Sequence, residues 1–125
     1  MTLDIVASLK DTLRGLQEMS PYVIGSAVVT SDGFIVASNL PSEADEKKIT
    51  IVAMAMLTLG QETTSELGSA EPERVLVESK DSYIVLVNAG PDAVVAAVAD
   101  KNAVLGLLLI AMKQAVQQVK AILAP

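Results

Sequence analysis

The sequence predicts an α+β domain, an α/β/α sandwich in which a five-stranded antiparallel sheet carries helices on both faces. Three observations predict it. Helical and strand periodicities follow one another in the order α-β-β-α-β-β-β-α. The links between successive strands are too short for anything but hairpins, so the sheet is antiparallel. Several strands, notably YVIGSAVVT and DAVVAAVAD, are apolar or small on both faces, and a sheet with two buried faces must be covered on both sides. The 125 residues read as a single domain over 1–125, and a chain of that length buries about two-thirds of its surface on folding.

The first helix is predicted from Thr2 to Met19. Leu3, Val6, Leu9, Leu13 and Leu16 recur at steps of three and four, with Asp4, Lys10, Asp11, Arg14 and Glu18 between them, the pattern of a surface amphipathic helix. Ser20-Pro21 ends it. Tyr22 to Thr30 and Phe34 to Asn39 are rich in β-branched and small residues, and Ser31-Asp32-Gly33 between them predicts a tight hairpin. Ser42, followed by Asp45 and Glu46, approximates a capping box. A long helix is then expected from about Ala44 to Leu67, stopped by Gly68. At ~1.5 Å per residue it runs roughly 36 Å, longer than its own core requires. Three strands follow, Arg74 to Ser79, Tyr83 to Ala89 and Asp92 to Ala99, with turns at Lys80-Asp81-Ser82 and Gly90-Pro91. Asn102 starts a last helix reaching about Leu123, apolar in its first half (AVLGLLLIAM) and amphipathic in its second.

Composition removes several function classes. With no histidine and no cysteine, the commonest general base and the thiolate metal ligands are missing, so zinc and Ser-His chemistry are not expected. The net charge of −6, from 15 acidic and 9 basic residues, opposes nucleic-acid binding, which rests on clustered Lys and Arg. One Phe, two Tyr and no Trp give no platform for stacking bases. The N-terminal MTLDIVASLKD has no basic n-region or apolar h-region, and the apolar runs are shorter than the ~20 residues of a membrane span. Absent cysteine fits a reducing compartment, and the expected location is the cytoplasm.

Asp32-Gly33 with Thr30 and Ser31 is the best loop candidate for a ligand. A calcium loop spreads its oxygens over about twelve residues, and a phosphate loop opens onto a helix N-terminus. Here the oxygens stop at Gly33 and a strand resumes, so the segment reads as a turn. Asp45-Glu46-Lys47-Lys48 reads as a solvated first helical turn whose acids complement the helix dipole. Glu71, Glu73 and Glu78 read as solubilising charges near an edge strand. Arg14 and Arg74, the only arginines, could each act in trans on a nucleotide, but exposed arginine is common and needs no such role. No nucleophile, base and orienter can be assembled, no cofactor is implied, and the chain does not read as an enzyme.

The strongest signal is the centre of the long helix. Ile49 to Leu59 contains only Thr50 and Thr58 as polar residues. One face can pack on the sheet, and the other would leave Met54, Leu57 and neighbours in water. An apolar patch of that size marks an interface, and methionine suits an adaptable contact. A 51% hydrophobic content is high for a small soluble monomer and fits apolar surface hidden between subunits.

The element order, the hairpin IGSAVVTSDGFIVAS, the helix IVAMAMLTLGQETTSELG and the run RVLVESKDSYIVLVNAGPDAVVAAVAD with its apolar last helix resemble the Roadblock / dynein light chain family over Leu3 to Leu123. The resemblance implies a profilin-like sandwich that forms a homodimer, or a heterodimer with a paralogue. In it the second helices lie antiparallel and the third strands pair edge to edge into one ten-stranded sheet. That would place Ile51, Met54, Ala55, Leu57, Thr58, Arg74, Val75, Leu76, Val77 and Glu78 in the interface. Family members bind and regulate small Ras-like GTPases, or serve as platforms in larger complexes, without a cofactor. By the same likeness the GTPase would sit on the paired helices, with Lys47, Lys48, Gln61, Glu62, Thr64, Ser65 and Glu66 as exposed contact candidates. Bacterial relatives that stimulate hydrolysis reposition the GTPase's own residues, which relieves Arg14 and Arg74 of a catalytic role.

The function expected is therefore a non-enzymatic dimeric regulator or scaffold for a Ras-like GTPase. Two alternatives stand beside it. One is a small-ligand sensor of profilin or PAS-like shape, which needs a cavity where the small and β-branched strands predict tight helix-on-sheet packing. The other is a purely structural assembly platform.

Overall fold

The computed structural model describes residues 3–124. Its elements are α1 (Leu3–Met19), β1 (Val23–Thr30), β2 (Ile35–Asn39), α2 (Glu46–Glu66), β3 (Arg74–Glu78), β4 (Ser82–Asn88), β5 (Ala93–Asp100) and α3 (Leu105–Leu123). The predicted order holds. Thr2, where the sequence places the helix start, lies outside the described residues. The five strands form one antiparallel sheet in the order β2-β1-β5-β4-β3. β2 and β3 are its edges.

Two helices cover one face and one covers the other. α1 packs on β1, β2 and α3, α3 lies over β4 and β5, and α2 rests on β3 and β4. The first layer is densely packed. Leu9, Leu13 and Leu16 project from α1 at helical spacing, and Leu108, Met112, Val116 and Val119 do so from α3. They close on Val28, Val85 and Val95 of the sheet. Each fully buried aliphatic side chain contributes about 1.5–3 kcal/mol, so this layer carries most of the core. The second layer is thin: Ala27, Val29, Leu86 and Val94 of the sheet meet Ala53 of α2.

The Ser31-Asp32-Gly33 segment is a hairpin turn. Thr30 N donates to Phe34 O at 2.8 Å and Gly33 N to Thr30 O at 3.0 Å, with Gly33 at φ +94°, a conformation glycine adopts without a Cβ penalty. Ser31 ties this turn to the β4–β5 side, its N donating to Asp92 O at 3.0 Å and its Oγ to Pro91 O at 3.0 Å. The start of α2 departs from expectation. Asp45 is the cap, its Oδ1 accepting from Lys47 N at 3.0 Å and Lys48 N at 3.3 Å. Ser42 turns instead to the neighbouring Glu43 carboxylate. A carboxylate at the N-cap satisfies orphan amides and favours the helix dipole together. α3 starts at Leu105 rather than Asn102, because Asn102 N donates to Asp100 Oδ1 at 2.8 Å in a turn that precedes the helix.

Candidate functional site: the outer face of α2 and the β3 edge

The surface is built from the phase of α2. Ala53, Leu57, Gly60 and Thr64, at steps of four, three and four, form the side turned to the protein, and of the described residues of α2 Ala53 alone is buried. The helix comes closest at Gly60, where a Cβ would lie 2.6 Å from Val75 Cγ2. On the opposite side Ile51 is 67% exposed, Val52 47% and Leu59 65%, with Ala55 and Thr58 also in solvent. Isolated exposed apolar residues are ordinary, but a band along one helix is not.

Beside the N-terminal half of α2 the helix stands off the sheet over a half-open cavity of about 240 Å³. Ile49, Val52, Ala53 and Met56 line it from α2, and Ile84, Ala96 and Val98 from the sheet, with Leu40 at one side and Lys48 at the rim. This corrects the expected tight packing. The alanines at 53 and 96 are too short to fill the gap between helix and sheet, so the larger side chains only frame it.

At the next edge lies β3, paired on one side only. Asn88 N donates to Glu73 O, and Ser79 N to Ser82 O. By the two-residue alternation of a strand, Val75 and Val77 also bond towards β4, and the backbone groups of Arg74, Leu76 and Glu78 face outward. Leu76 and Val77, on opposite faces, are both exposed. Lys101 holds the Glu78 carboxylate in an ion pair and lies 4.8 Å from the Tyr83 ring centroid. The hydrogen bond to Glu78 raises the Lys101 pKa above its ordinary 10.5, against a smaller desolvation that lowers it. A raised pKa contributes stability that is complete below the ordinary value and is lost as pH climbs through the raised one. Denaturation of the native chain and of Lys101→Met should therefore differ at neutral pH and converge above about pH 10.5. A gap that stays constant into that range would show that the pair does not act.

Of the residues proposed for an interface, Ile51, Ala55, Thr58, Arg74, Leu76, Val77 and Glu78 are exposed. Met54, Leu57 and Val75 are not outward: they are half-buried against the thin core with Ile35 and Leu86. Val52 and Leu59 were missed, although Gly60 and Ala53, the small residues that let a helix approach a sheet, mark the inner side in the sequence. Among the GTPase-contact candidates, Lys47, Lys48, Gln61, Glu62, Ser65 and Glu66 are exposed. Thr64 is half-buried, its hydroxyl donating to Gly60 O at 3.2 Å. One chain does not bring the set together, since Lys48 and Gln61 are thirteen residues apart, roughly 20 Å along the helix. Arg14 is paired with Asp11 at 2.8 Å on the exposed side of α1. Among the described residues no group of acids could hold a metal ion, and no helix is long and apolar enough to cross a membrane.

The sequence profile of the Roadblock/LC7 domain matches residues 9–99. The chain belongs to the Roadblock/LC7 family. Among its relatives is the uncharacterized protein MJ0714 of Methanocaldococcus jannaschii, 33% identical over 99 residues, covering 79% of this chain and 83% of that protein. The Roadblock fold is equally plain in solved structures. The Roadblock/LC7 domain from Streptomyces avermitilis superposes with a TM-score of 0.86 at 19% identity, over 93% of this chain and 98% of that one. Myxococcus xanthus MglB superposes with a TM-score of 0.88 at 15% identity, over 98% and 92%. All of β1 to β4, α2 and most of β5 fall within the Roadblock match, so the apolar band and the β3 edge lie inside the matched segment.

Proposed function

We propose that this Roadblock domain is a cytoplasmic, non-enzymatic dimeric regulator or scaffold whose paired α2 helices bind a small Ras-like GTPase and modulate its GTP hydrolysis or nucleotide state. The observation that carries the reading is the exposed apolar band of α2 running beside a half-open cavity and an unpaired β3 edge. A second chain, identical or a paralogue, would cover all three. Antiparallel pairing would also bring Lys47 and Lys48 of one helix beside Gln61, Glu62, Ser65 and Glu66 of the other, joining contact candidates that a single chain holds apart. The two-helix platform so formed carries the polar face for a GTPase.

The test is binding of the Ras-like GTPase encoded beside this chain, loaded with GDP or a GTP analogue, followed by single-turnover GTP hydrolysis and nucleotide release. Binding with an altered rate is the expected result. Binding without any change in rate would leave the assembly-platform role, and no binding at micromolar concentrations would overturn the reading. The cavity of about 240 Å³ favours one second reading, a sensor that holds a small aliphatic ligand under α2. A ligand that raises the melting temperature, in a chain that binds no GTPase, would establish it instead.

A further inference from the structure

Resting on the small-ligand reading above, we propose that the cavity beneath α2 takes the alkyl chain of an aliphatic monocarboxylate of about six to eight carbons, whose carboxylate meets Lys48 at the lip. The interior is apolar. Ile49, Ala53 and Met56 line it from α2, and Ile84 and Ala96 from the sheet. Among the described lining residues only Ser26 and Lys48 have polar side chains. Ser26 is paired with Ala97, which is buried in the core on the opposite face of the sheet, so its hydroxyl points away from α2. A ligand inside therefore finds no hydrogen-bonding side chain, and burying a polar group there would cost free energy. Hydrocarbon carries no such cost, and even a closed apolar cavity of about 150 Å³ stays dry and binds benzene. A methylene takes about the 30 Å³ that a water molecule has in the liquid. A half-open cavity of about 240 Å³ thus sets the chain length at about six to eight carbons.

The mouth supplies the head group. Its exposed lining residues are Lys48, Val52 and Val98. Lys48 alone among the described lining residues is charged, and it forms no ion pair among the described residues. Two acids of the same segment are engaged: Asp45 Oδ1 accepts from Lys47 N and Lys48 N, and Glu43 accepts from the Ser42 hydroxyl. Glu46 stands in the same turn and tempers the pull on an anion. A carboxylate at the lip keeps one side in water, so it gains from Lys48 without the cost of full burial. An ammonium head would be repelled there, and a hydroxyl would gain little. The chain would fill the layer where α2 has fewest buried contacts. A ligand that binds only the folded chain stabilises it, so occupancy should brace the N-terminal half of α2, the half that carries Lys47 and Lys48.

The test titrates the whole native chain with butanoate, hexanoate, octanoate and dodecanoate below their micelle concentrations, with octan-1-ol and octylamine as the other heads. Melting temperature and the methyl NMR shifts of Ile49, Met56 and Ile84 are read. The carboxylates should raise the melting temperature and shift those three residues. Affinity should rise about fourfold per methylene as far as octanoate and then level. Lys48→Gln should weaken octanoate about threefold and leave octan-1-ol unchanged, while Ala96→Leu, which fills the cavity, should abolish binding of both. The shifts in the native chain locate the site even if Ala96→Leu does not fold. Octan-1-ol bound as tightly as octanoate with Lys48→Gln without effect, or octylamine bound more tightly, would overturn the carboxylate and leave the small-ligand reading standing. Shifts gathered elsewhere, or an affinity climbing unbroken to dodecanoate, would overturn the cavity as the place of the chain. No binding by any of the series at millimolar concentrations would overturn both this inference and the small-ligand reading.

Discussion

On the proposed pairing, a chain carrying Leu59→Glu should sediment as a monomer at concentrations where the native chain is expected to dimerise. Leu59 is 65% exposed in the single protomer, so a carboxylate there is solvated and the fold is left intact. In the paired state the two-fold axis would bury two such carboxylates in an apolar seam without partners. Uncompensated burial of one charge costs about 3 kcal/mol or more, which is over a hundredfold in the dissociation constant. Val52→Glu should act alike, with the added effect of placing charge at the cavity lip. Met54→Glu should behave differently. Met54 packs against the thin core under α2, so its substitution should lower the melting temperature of the protomer itself. An unchanged dimer in Leu59→Glu would remove α2 from the interface.

Gly60→Ala should destabilise the protomer by about 1 kcal/mol, the overpacking cost less the gain in helix propensity. An exposed helical glycine replaced by alanine normally gains about 1 kcal/mol. Here the new methyl would lie 2.6 Å from Val75 Cγ2 and 3.4 Å from Pro72 Cγ. Overpacking costs about 1–3 kcal/mol or somewhat more, and α2 has few other contacts to hold it while it shifts. Thermal denaturation should show a melting temperature lower by several degrees. Val75→Ala added to Gly60→Ala should restore part of the loss by clearing the clash, although Val75→Ala alone destabilises. A melting temperature unchanged or raised in Gly60→Ala would mean that α2 does not depend on that close approach.

The fold was legible because its signals are local. Leu9, Leu13 and Leu16 announce α1 by spacing, Asp32-Gly33 announces the first hairpin, and Gly90-Pro91 the last. The orientation of α2 was not legible in the same way. Ile49 to Leu59 is apolar nearly all round, so hydrophobicity gives no phase, and Met54 and Leu57 were assigned outward when they point in. The phase resides in small residues, Ala53 and Gly60, whose importance comes from what the sheet allows near them. The cavity was likewise invisible, since tightness between helix and sheet depends on how far apart the backbones are held. The contact candidates at 47–48 and 61–66 share a helix face in part but not a place, because a single chain holds the two groups at opposite ends.

The unequal layers on the two faces of the sheet have a consequence for the life of a single protomer. Local opening starts where few apolar groups are buried. α1 and α3 close over a broad core, while α2 is anchored by Ala53, the contact at Gly60 and a handful of half-buried side chains. The segment from Glu46 to Glu78 should therefore exchange its amide hydrogens first and offer proteases their first cut, with the opposite side still folded. Covering that segment with a second chain would quench the opening. Under the proposed pairing, an uncovered protomer would be the form most open to proteases, and the amount of chain would follow the amount that is covered.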